Sequence, residues 1–253
     1  MAPLIRFSSL VRHGLRFRSR FELIKKDAAP ASFAWYPYDS FVNLFPLEKL
    51  RRMAGLDLKE MAGSRPLLDL GTADGALAFF FESLGYTVHA CDHSGTNMNR
   101  MEGVRLVASA LGSKVEIEDI DLDGGWAPAR EYGLALFLGT LYHLKNPFAV
   151  LERLSKHARY CFLSTRVAGW SPDHTVELGR VPAAYLLAPD ECNQDTTNFW
   201  VFSPPGLVRL AERCGWRVLA SLSTGARDSD PTTEAGDERQ FLLLESSRGE
   251  PIS

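Results

Sequence analysis

Short apolar runs alternate with segments of helical periodicity from residue 66 onward. Short apolar runs bounded by turn residues are typical of strands, whereas apolar residues three and four positions apart are typical of helices. The predicted strands are Leu67–Leu70, Thr87–Cys91, Val115–Glu118, Leu134–Leu138, Tyr160–Thr165, Trp216–Leu222 and Gln240–Leu244. The predicted helices among them are Ala76–Leu84, Met98–Leu111, Pro147–His157 and a helix that runs to Cys214 from an N-cap at Ser203.

This alternation predicts an α/β fold with a Rossmann-like, doubly wound sheet. Strands joined through helices lie parallel, and each right-handed crossover places its helix on a face of the sheet. We therefore expect a mostly parallel seven-stranded sheet with helices on both faces, formed by residues 64–246. Residues 166–200 lack this periodicity and are predicted as an insertion that covers a ligand. Residues 247–253 are predicted as a tail.

Residues 1–63 are predicted as a basic and aromatic helical extension ahead of this domain. Helical spacing of apolar residues covers Leu47–Met61 and stops at the turn Gly63-Ser64-Arg65-Pro66. The aromatic side chains Trp35, Tyr36 and Tyr38, with Phe199 and Trp200, could form a wall for a planar substrate or pack in the core. Core packing is favoured, because large aromatic side chains contribute strongly to buried cores.

The first 27 residues hold seven Arg or Lys against two acidic residues, a net charge of +5, so the rest of the chain carries −8. Arg12, Arg16 and Arg20 would lie on one face of a helix. The apolar stripe of the same helix comprises Leu4, Phe7, Val11 and Leu15. Three interpretations stay open: a solvated helix packed on the main domain, an organellar presequence, and an arm that binds phosphate or a membrane surface.

The composition is that of a globular chain without a membrane-spanning segment. Of 253 residues, 45% are hydrophobic and 23% charged, and no apolar run reaches the roughly 18–20 residues that cross a bilayer. The four cysteines form no CxxC pair and have no histidine cluster beside them, so we expect free thiols in a reducing compartment and no metal site. A cytoplasmic location is the resulting expectation.

The loop after the first predicted strand has the residues of a ligand site. In doubly wound sheets a ligand lies at the carboxyl ends of the strands. Gly71 and Gly75 allow backbone amides to approach it closely, whereas Asp69 and Asp74 would repel phosphate and suit an ammonium or sulfonium group. Asp92 ends the next strand and could accept both ribose hydroxyls of an adenosine. Two of the three dinucleotide-fingerprint glycines are absent, which disfavours a nicotinamide cofactor.

Three runs of the chain resemble class I S-adenosylmethionine-dependent methyltransferases over about residues 64–245: LLDLGTADG at Leu67–Gly75, the strand that ends at Asp92, and LALFLGTLYH at Leu134–His143. Three more are similar to the branch that contains the tRNA wobble-uridine carboxymethyltransferases. These are WYPYD at Trp35–Asp39, GTLYHLKNPFAVLERL at Gly139–Leu154 and NFWVFSPPGLVRLAERCGW at Asn198–Trp216. The resemblance implies S-adenosylmethionine as the cofactor.

The resemblance also implies roles for individual residues. The positions around the methionine part of the donor are Asp69, Gly71, Ala73 and Gly75. Asp92 matches the ribose-binding acid, and His93 beside it lines the adenosine pocket or faces solvent. The positions near the adenine are Asp119 or Asp121, together with Ile120 or Leu122. Those that follow the fourth strand beside the sulfonium are Leu138 and Gly139, and Tyr142 matches a tyrosine at the transferred group.

Two departures from the family pattern bear on the donor. Ala73 stands where a central glycine is common, and if that position needs a positive φ, alanine costs about 1 kcal/mol. Leu144 stands where the tRNA enzymes commonly have an arginine. Carboxy-S-adenosylmethionine is therefore the less favoured donor.

Methyl transfer from a sulfonium needs the nucleophile, the carbon and the sulfur in line. His143 is the predicted general base, because it follows the strand beside the transferred group; alternatively it only shapes its loop. We expect O- or N-methylation of a small metabolite, natural product or sugar. The alternatives are tRNA modification, which the basic segment favours, and a non-catalytic partner protein, which only Ala73 supports.

Overall fold

The computed structural model describes residues 9–234 and 236–247. The strands of the described part are β1 (Leu67–Leu70), β2 (Val88–Asp92), β3 (Glu116–Asp119), β4 (Tyr132–Leu138), β5 (Ala158–Arg166), β6 (Ala184–Leu186), β7 (Trp200–Phe202), β8 (Trp216–Thr224) and β9 (Arg239–Ser246). Its α-helices are α1 (Ser9–Ala28), α2 (Leu44–Met53), α3 (Leu58–Ala62), α4 (Ala76–Ser83), α5 (Glu102–Leu111), α6 (Pro147–His157) and α7 (Pro204–Arg213). Short 3-10 helices cover Ser40–Asn43 and Leu141–His143.

The main sheet has seven strands in the order β3-β2-β1-β4-β5-β9-β8. Strands β1 to β5 pair in parallel, and β9 lies antiparallel between β5 and β8. This confirms the predicted doubly wound, mostly parallel sheet of seven strands. The strand order reverses between β1 and β4, so the crevice of such folds lies where the carboxyl ends of these two strands meet.

Helix α1 covers one face of the sheet through α4. The side chains Phe79, Phe80 and Phe81 of α4 are buried, and they share one apolar cluster with Val11 and Phe21 of α1. This burial removes large apolar surfaces from water and holds the extension against the domain.

The opposite face of α1 is basic and lies in water. Arg12, Arg16 and Arg20 are exposed, as expected for the solvated face of an amphipathic helix that packs on the main domain. Leu4 and Phe7 of the predicted apolar stripe lie outside the described residues.

Two predicted helix bounds are wrong. The helix expected over Leu47–Met61 is two helices, because Gly55 takes a φ of +69° and Asp57 caps α3 by accepting a hydrogen bond from the Lys59 N–H. The helix expected from Met98 starts at Glu102, because Met101 takes a φ of +63°. In both places a left-handed residue or a side-chain cap overrides the apolar spacing.

The segment 166–200 contains a strand that the sequence pattern does not predict. Strand β6 lies within this segment and pairs antiparallel with β7, and an apolar cluster of Ala168, Leu187, Cys192 and Val201 lies beside the hairpin. Strands of three residues are too short to show a period. The division into extension, domain and tail remains a prediction; residues 248–253 of the tail lie outside the described part.

Two simpler expectations concern the whole chain. All four cysteines are buried and unpaired, which confirms the predicted free thiols. Within the described ranges, no helix combines the length and the apolar character that crossing a membrane requires.

Candidate functional site

The loop after β1 is built from left-handed residues. Gly71, Ala73 and Gly75 have φ values of +76°, +54° and +84°. A Cβ on Gly71 would lie 2.1 Å from Thr140 Oγ1, so this loop touches the turn after β4 and only glycine fits there. Ala73 does require a positive φ, and the left-handed backbone costs an alanine about 1 kcal/mol.

Asp92 at the end of β2 stabilises this loop by accepting a hydrogen bond from it. Its Oδ2 accepts a hydrogen bond of 2.7 Å from the Ala73 N–H, and its Oδ1 accepts one of 2.8 Å from the His93 N–H. Burial raises the pKa of this carboxyl group, and the two amide bonds offset part of the rise. Each carboxylate oxygen has a second lone pair, so the group fits the two hydroxyls of a ribose.

The carboxyl ends of β2 and β3 meet beside Asp92. Asp119 Oδ1 accepts a hydrogen bond of 2.9 Å from the Ser94 N–H and lies 3.7 Å from His93 Nδ1. The Ile120 N–H donates to the Asp92 carbonyl at 2.7 Å. Three of the predicted residues, His93, Asp119 and Ile120, therefore lie together with Asp92 and fit an adenosine.

Asp121 is the exception among the predicted adenine-side residues. Its side chain is exposed, and Oδ1 accepts a hydrogen bond of 3.0 Å from the Asp123 N–H. Asp123 in turn accepts from the N–H groups of Lys145 and Asn146. The Asp121 side chain thus shapes the turn that follows β3, and its hydrogen bond is made within this turn.

Asp69 supports the loop from inside the fold. It is 5% exposed, and Oδ2 accepts a hydrogen bond of 2.7 Å from the Thr72 hydroxyl. Burial raises the pKa of Asp69 to about 6. This enclosed carboxyl group holds the loop in shape.

Asp74 does not offer its charge to a ligand, which corrects the expectation that it suits an ammonium or sulfonium group. Its Oδ2 lies 3.1 Å from Lys25 Nζ and accepts a hydrogen bond of 2.9 Å from the Tyr36 N–H. Its Oδ1 accepts one of 2.8 Å from Asn99 Nδ2. The cation that Asp74 pairs with belongs to the protein. The burial of Lys25 could have been predicted from its position. It follows Phe21 by four residues and so lies on the apolar side of α1.

On the other side of the crevice, the turn after β4 presents the second half of the predicted site. Leu138 ends β4, and Gly139 has a φ of +70° and donates its N–H to the Ser164 carbonyl at 2.9 Å. The 3-10 turn that follows contains Tyr142 and His143. Burial raises the pKa of the Tyr142 hydroxyl, so this phenol stays neutral and can donate a hydrogen bond.

The hydrogen bonds of His143 determine which ring nitrogen carries the proton. Nδ1 lies 2.9 Å from Thr197 Oγ1 and 3.2 Å from the Thr197 carbonyl. Because a carbonyl can only accept, Nδ1 is the protonated nitrogen and Nε2 has the lone pair. The Thr197 hydroxyl donates to Asp195 at 2.6 Å. Burial lowers the pKa of His143, so the ring is a neutral base near pH 7.

Arg239 is a residue of this site that no sequence motif marks. Its guanidinium carbon lies 5.9 Å from the centre of the Tyr142 ring, and a Cβ built on Gly139 would be 3.8 Å from its Nη1. Arg239 reaches the site because β9 pairs antiparallel with β5, which places it opposite Arg166. No local signal could have found it.

An aromatic cleft of about 650 Å³ opens between α1 and residues 35–39. Its walls include Trp35, Tyr36 and Tyr38. Tyr36 accepts a hydrogen bond of 3.0 Å from the Met98 N–H, and burial raises its pKa to about 12. Tyr38 is 73% exposed, so the favoured prediction of core packing is wrong for this residue; Trp35, Tyr36, Phe199 and Trp200 are partly buried.

A separate cluster joins β2 and β3 on the sheet. The potential metal-ligand atoms of His89, Cys91 and Glu118 lie within 4.8 Å of one another. His89 Nε2 is 2.9 Å from Glu118, and Nδ1 is 2.7 Å from the Tyr132 hydroxyl. Burial raises the pKa of the Cys91 thiol, which keeps it protonated. A neutral histidine that donates to Glu118 and accepts from Tyr132 accounts for this cluster as a hydrogen-bond network.

A family model described as a methyltransferase domain matches residues 38–221, most of the chain. A search of curated proteins finds no match.

Solved structures with the same fold include several methyltransferases. The N-terminal domain of EvdMO1 with SAH bound is 17% identical, with 91% of this chain and 97% of that chain covered and a TM-score of 0.55. A putative methyltransferase from Bacillus halodurans C-125 is 16% identical, with 79% and 97% covered and a TM-score of 0.56. The CcbJ methyltransferase from Streptomyces caelestis is 14% identical, with 78% and 89% covered and a TM-score of 0.51. At these identities the likeness is one of fold.

Proposed function

Because the chain belongs to the family of S-adenosylmethionine-dependent methyltransferase domains, we propose that it methylates an oxygen or nitrogen atom of a small metabolite, natural product or sugar. The observation that carries the proposal is the direct contact between the loop after β1 and the turn after β4, through Gly71 and Thr140. This contact supports a single crevice at the carboxyl edge of the sheet, with the donor on the side of the loop and His143 on the side of the turn.

The donor side fits S-adenosylmethionine. Asp92 would accept hydrogen bonds from the ribose, the loop 71–75 would enclose the methionine part, and Asp119 with Ile120 would border the adenine. The bound donor supplies an electrophilic methyl group on a sulfonium sulfur. The protein's part is to hold the acceptor in line with that group and to exclude water from it.

His143 is the base in this proposal. The lone pair on Nε2 takes the proton of the attacking hydroxyl or amine while the nucleophile forms its bond to the methyl carbon. Thr197 and Asp195 keep the proton on Nδ1, so the ring presents the correct nitrogen. Tyr142 borders the same space from the neighbouring position and, as a neutral phenol, can donate a hydrogen bond to the acceptor.

The surroundings of this turn favour a small acceptor. The Phe199 N–H donates to the Tyr142 carbonyl at 2.9 Å, and Thr197 bonds His143, so residues of the 166–200 segment and the chain after it enclose the turn. Leu144, where the wobble-uridine branch commonly has an arginine, is 6% exposed. An apolar core residue at this position supports S-adenosylmethionine over its carboxylated form.

A tRNA acceptor is the second candidate, and the exposed row of Arg12, Arg16 and Arg20 is the observation in its favour. Phosphate contacts release counterions, so binding through this row would weaken steeply as salt rises. Binding of bulk tRNA, measured from low to high salt in wild type and in the triple Arg→Gln variant, tests it. A non-catalytic role has less support, since Ala73 adopts the left-handed backbone of this loop and donates its N–H to Asp92.

Calorimetry followed by transfer assays tests the proposal. We expect the wild-type protein to bind S-adenosylhomocysteine, and to move tritium from methyl-labelled S-adenosylmethionine onto members of a panel of small hydroxyl and amine compounds. The His143→Asn variant should bind S-adenosylhomocysteine equally well and transfer label about 10²–10⁴-fold more slowly. A wild-type protein that binds neither nucleoside would overturn the proposal, and transfer to tRNA alone would replace it with the second candidate.

A further inference from the structure

Two arginines share one carboxylate at the acceptor side of the crevice. Arg166 ends β5 and Arg239 begins β9, and the two are register partners. Arg166 Nε lies 3.1 Å, and Arg239 Nε 3.3 Å, from the same Oδ2 of Asp237. Asp195, the acid of the facing segment, is engaged by the N–H and hydroxyl groups of Thr197. The cluster of Arg166, Arg239 and Asp237 has a formal charge of +1, and the Asp195 carboxylate keeps its own negative charge while it accepts these hydrogen bonds.

The Arg166 guanidinium is enclosed by the protein. This side chain is 4% exposed, and its Nη1 and Nη2 bond Cys192 Sγ and the Thr233 carbonyl. Its Nε forms an ion pair with Asp237 without a hydrogen bond, so Arg166 is too enclosed to reach an acceptor.

Arg239 has donors to spare. Its side chain is 35% exposed, and its partners in the described part of the chain are Asp237 and the Tyr142 side chain. A guanidinium has five N–H donors in a planar fork. The Nη1 atom lies beside Gly139, next to the turn that contains His143, so the donors that remain border the space where the acceptor binds.

We propose that Arg239 binds a carboxylate of the acceptor, which makes the substrate a small organic acid with a hydroxyl or amine to be methylated. This inference rests on the proposed function. A planar fork matches a carboxylate with two parallel hydrogen bonds. The ion pair with Asp237 and the contact with Tyr142 already restrict the guanidinium, so less side-chain freedom is lost on binding. The charge of the partly exposed Arg239 guanidinium attracts the acid, and a neutral amide lacks this attraction.

Matched acids and amides test this assignment. A panel of small aromatic and aliphatic hydroxy acids, each beside its neutral amide, is titrated into the protein saturated with S-adenosylhomocysteine. We expect at least one acid to bind tenfold or more tighter than its amide. The Arg239→Gln variant should lose that preference and Arg239→Lys keep part of it. Arg217→Gln should behave as wild type. Arg217 lies near the start of β8, whereas Arg239 lies opposite the end of β8, and Arg217 pairs with Glu245.

The outcomes separate this inference from the proposed function. Melting temperature and affinity for S-adenosylhomocysteine should be unchanged in Arg239→Gln, because Arg166 still pairs with Asp237. If the wild-type protein binds S-adenosylhomocysteine but prefers no acid over its amide, the inference is wrong and the proposed function stands. Arg239→Gln could instead weaken the binding of carboxy-S-adenosylmethionine more than that of S-adenosylmethionine and leave the binding of acids and amides unchanged. In that case the carboxylate that Arg239 binds belongs to the donor, and the inference is overturned. Absence of any S-adenosylhomocysteine binding contradicts the proposed function first.

Discussion

The ammonium nitrogen of Lys25 lies 3.1 Å from Oδ2 of Asp74, and this ion pair ties α1 to the loop after β1. Both side chains are buried, with 10% and 4% of their surfaces exposed. Lys25 Nζ also lies 5.0 Å from the Trp35 ring, so the aromatic segment joins the same contact. The N-terminal segment therefore stabilises the loop that we assign to the donor.

Replacing Lys25 should destabilise the fold and weaken donor binding together. Lys25→Met leaves the Asp74 carboxylate buried without its cation, a change that costs about 3–5 kcal/mol when one partner of a buried pair is removed. Urea unfolding measures the free energy, and calorimetry with S-adenosylhomocysteine measures the affinity. Lys26→Met is the control, because Lys26 is exposed on the same helix. Equal losses of stability in the two variants would show that the Lys25–Asp74 ion pair does not stabilise the fold.

Ala73→Gly should stabilise the protein. The φ of +54° at Ala73 is left-handed backbone, in which alanine is disfavoured against glycine by about 1 kcal/mol. The free energy of unfolding in urea should rise by about that amount, and affinity for S-adenosylhomocysteine should stay the same or increase. Ala76→Gly, at the start of α4, should instead lower stability. A loss in Ala73→Gly as large as in this control would show that the loop is unstrained.

Asp92→Asn should weaken donor binding. Loss of the charged acceptor removes charge-assisted hydrogen bonds to the ribose, worth about 1.5–3 kcal/mol, which is roughly a ten- to hundredfold rise in the Kd of S-adenosylhomocysteine. Asp121→Asn is the matched control after β3 and should leave the Kd unchanged. If both variants bind equally well, Asp92 holds only the loop and the ribose lies elsewhere.

The pH profile of transfer should report His143. Because burial lowers the pKa of His143, the neutral ring persists below the ordinary histidine value of about 6.5, and kcat should fall only as the pH drops further. His143→Asn should reduce kcat by about 10²–10⁴-fold, the usual share of a general base, and remove this acid limb. An acid limb centred above the ordinary histidine value would contradict the assignment.

The contribution of Asp69 to stability, measured against its amide variant, should increase as the pH falls. Its pKa of about 6 in the folded protein lies above the ordinary value of 3.8, so the folded state binds the proton more tightly than the unfolded state. Stability relative to Asp69→Asn should therefore rise as the pH falls from 7 toward 4, by at most about 2–3 kcal/mol. Urea unfolding across this range measures it; a constant difference would mean that Asp69 keeps an ordinary pKa.

The chain's local pattern was sufficient for the sheet and for the donor loop. Pro147–His157 is a helix at both predicted ends, and Ser203 caps α7 by accepting a hydrogen bond from the Gly206 N–H. The central strands β1 and β4 could be predicted because a strand buried on both faces is mostly apolar, whereas β3 is largely exposed and alternates charged with apolar residues. Gly71 and Asp92 stood out because a glycine in a tight turn and an acid at a strand end are signals within one short segment.

The apolar pattern was not sufficient to predict the helix bounds and the short strands. The break before α3 and the late start of α5 depend on single residues with positive φ or on a side-chain cap. Strand β6 exists only because β7 lies beside it. In these places the conformation is decided by a partner or by one dihedral angle, and apolar spacing reports neither.

Only the tertiary structure decided which polar groups meet. The sequence showed the acids Asp69 and Asp74 but not that one is enclosed by its own loop and the other is paired with Lys25. It predicted His143 but not the bond to Thr197 that sets its tautomer, and it left Arg239 unmarked. These pairs form because β9 inserts antiparallel beside β5 and α1 folds back over α4. Charge and hydrogen-bond energies depend on distances through space, whereas periodicity along the chain reports only which face of each element is buried.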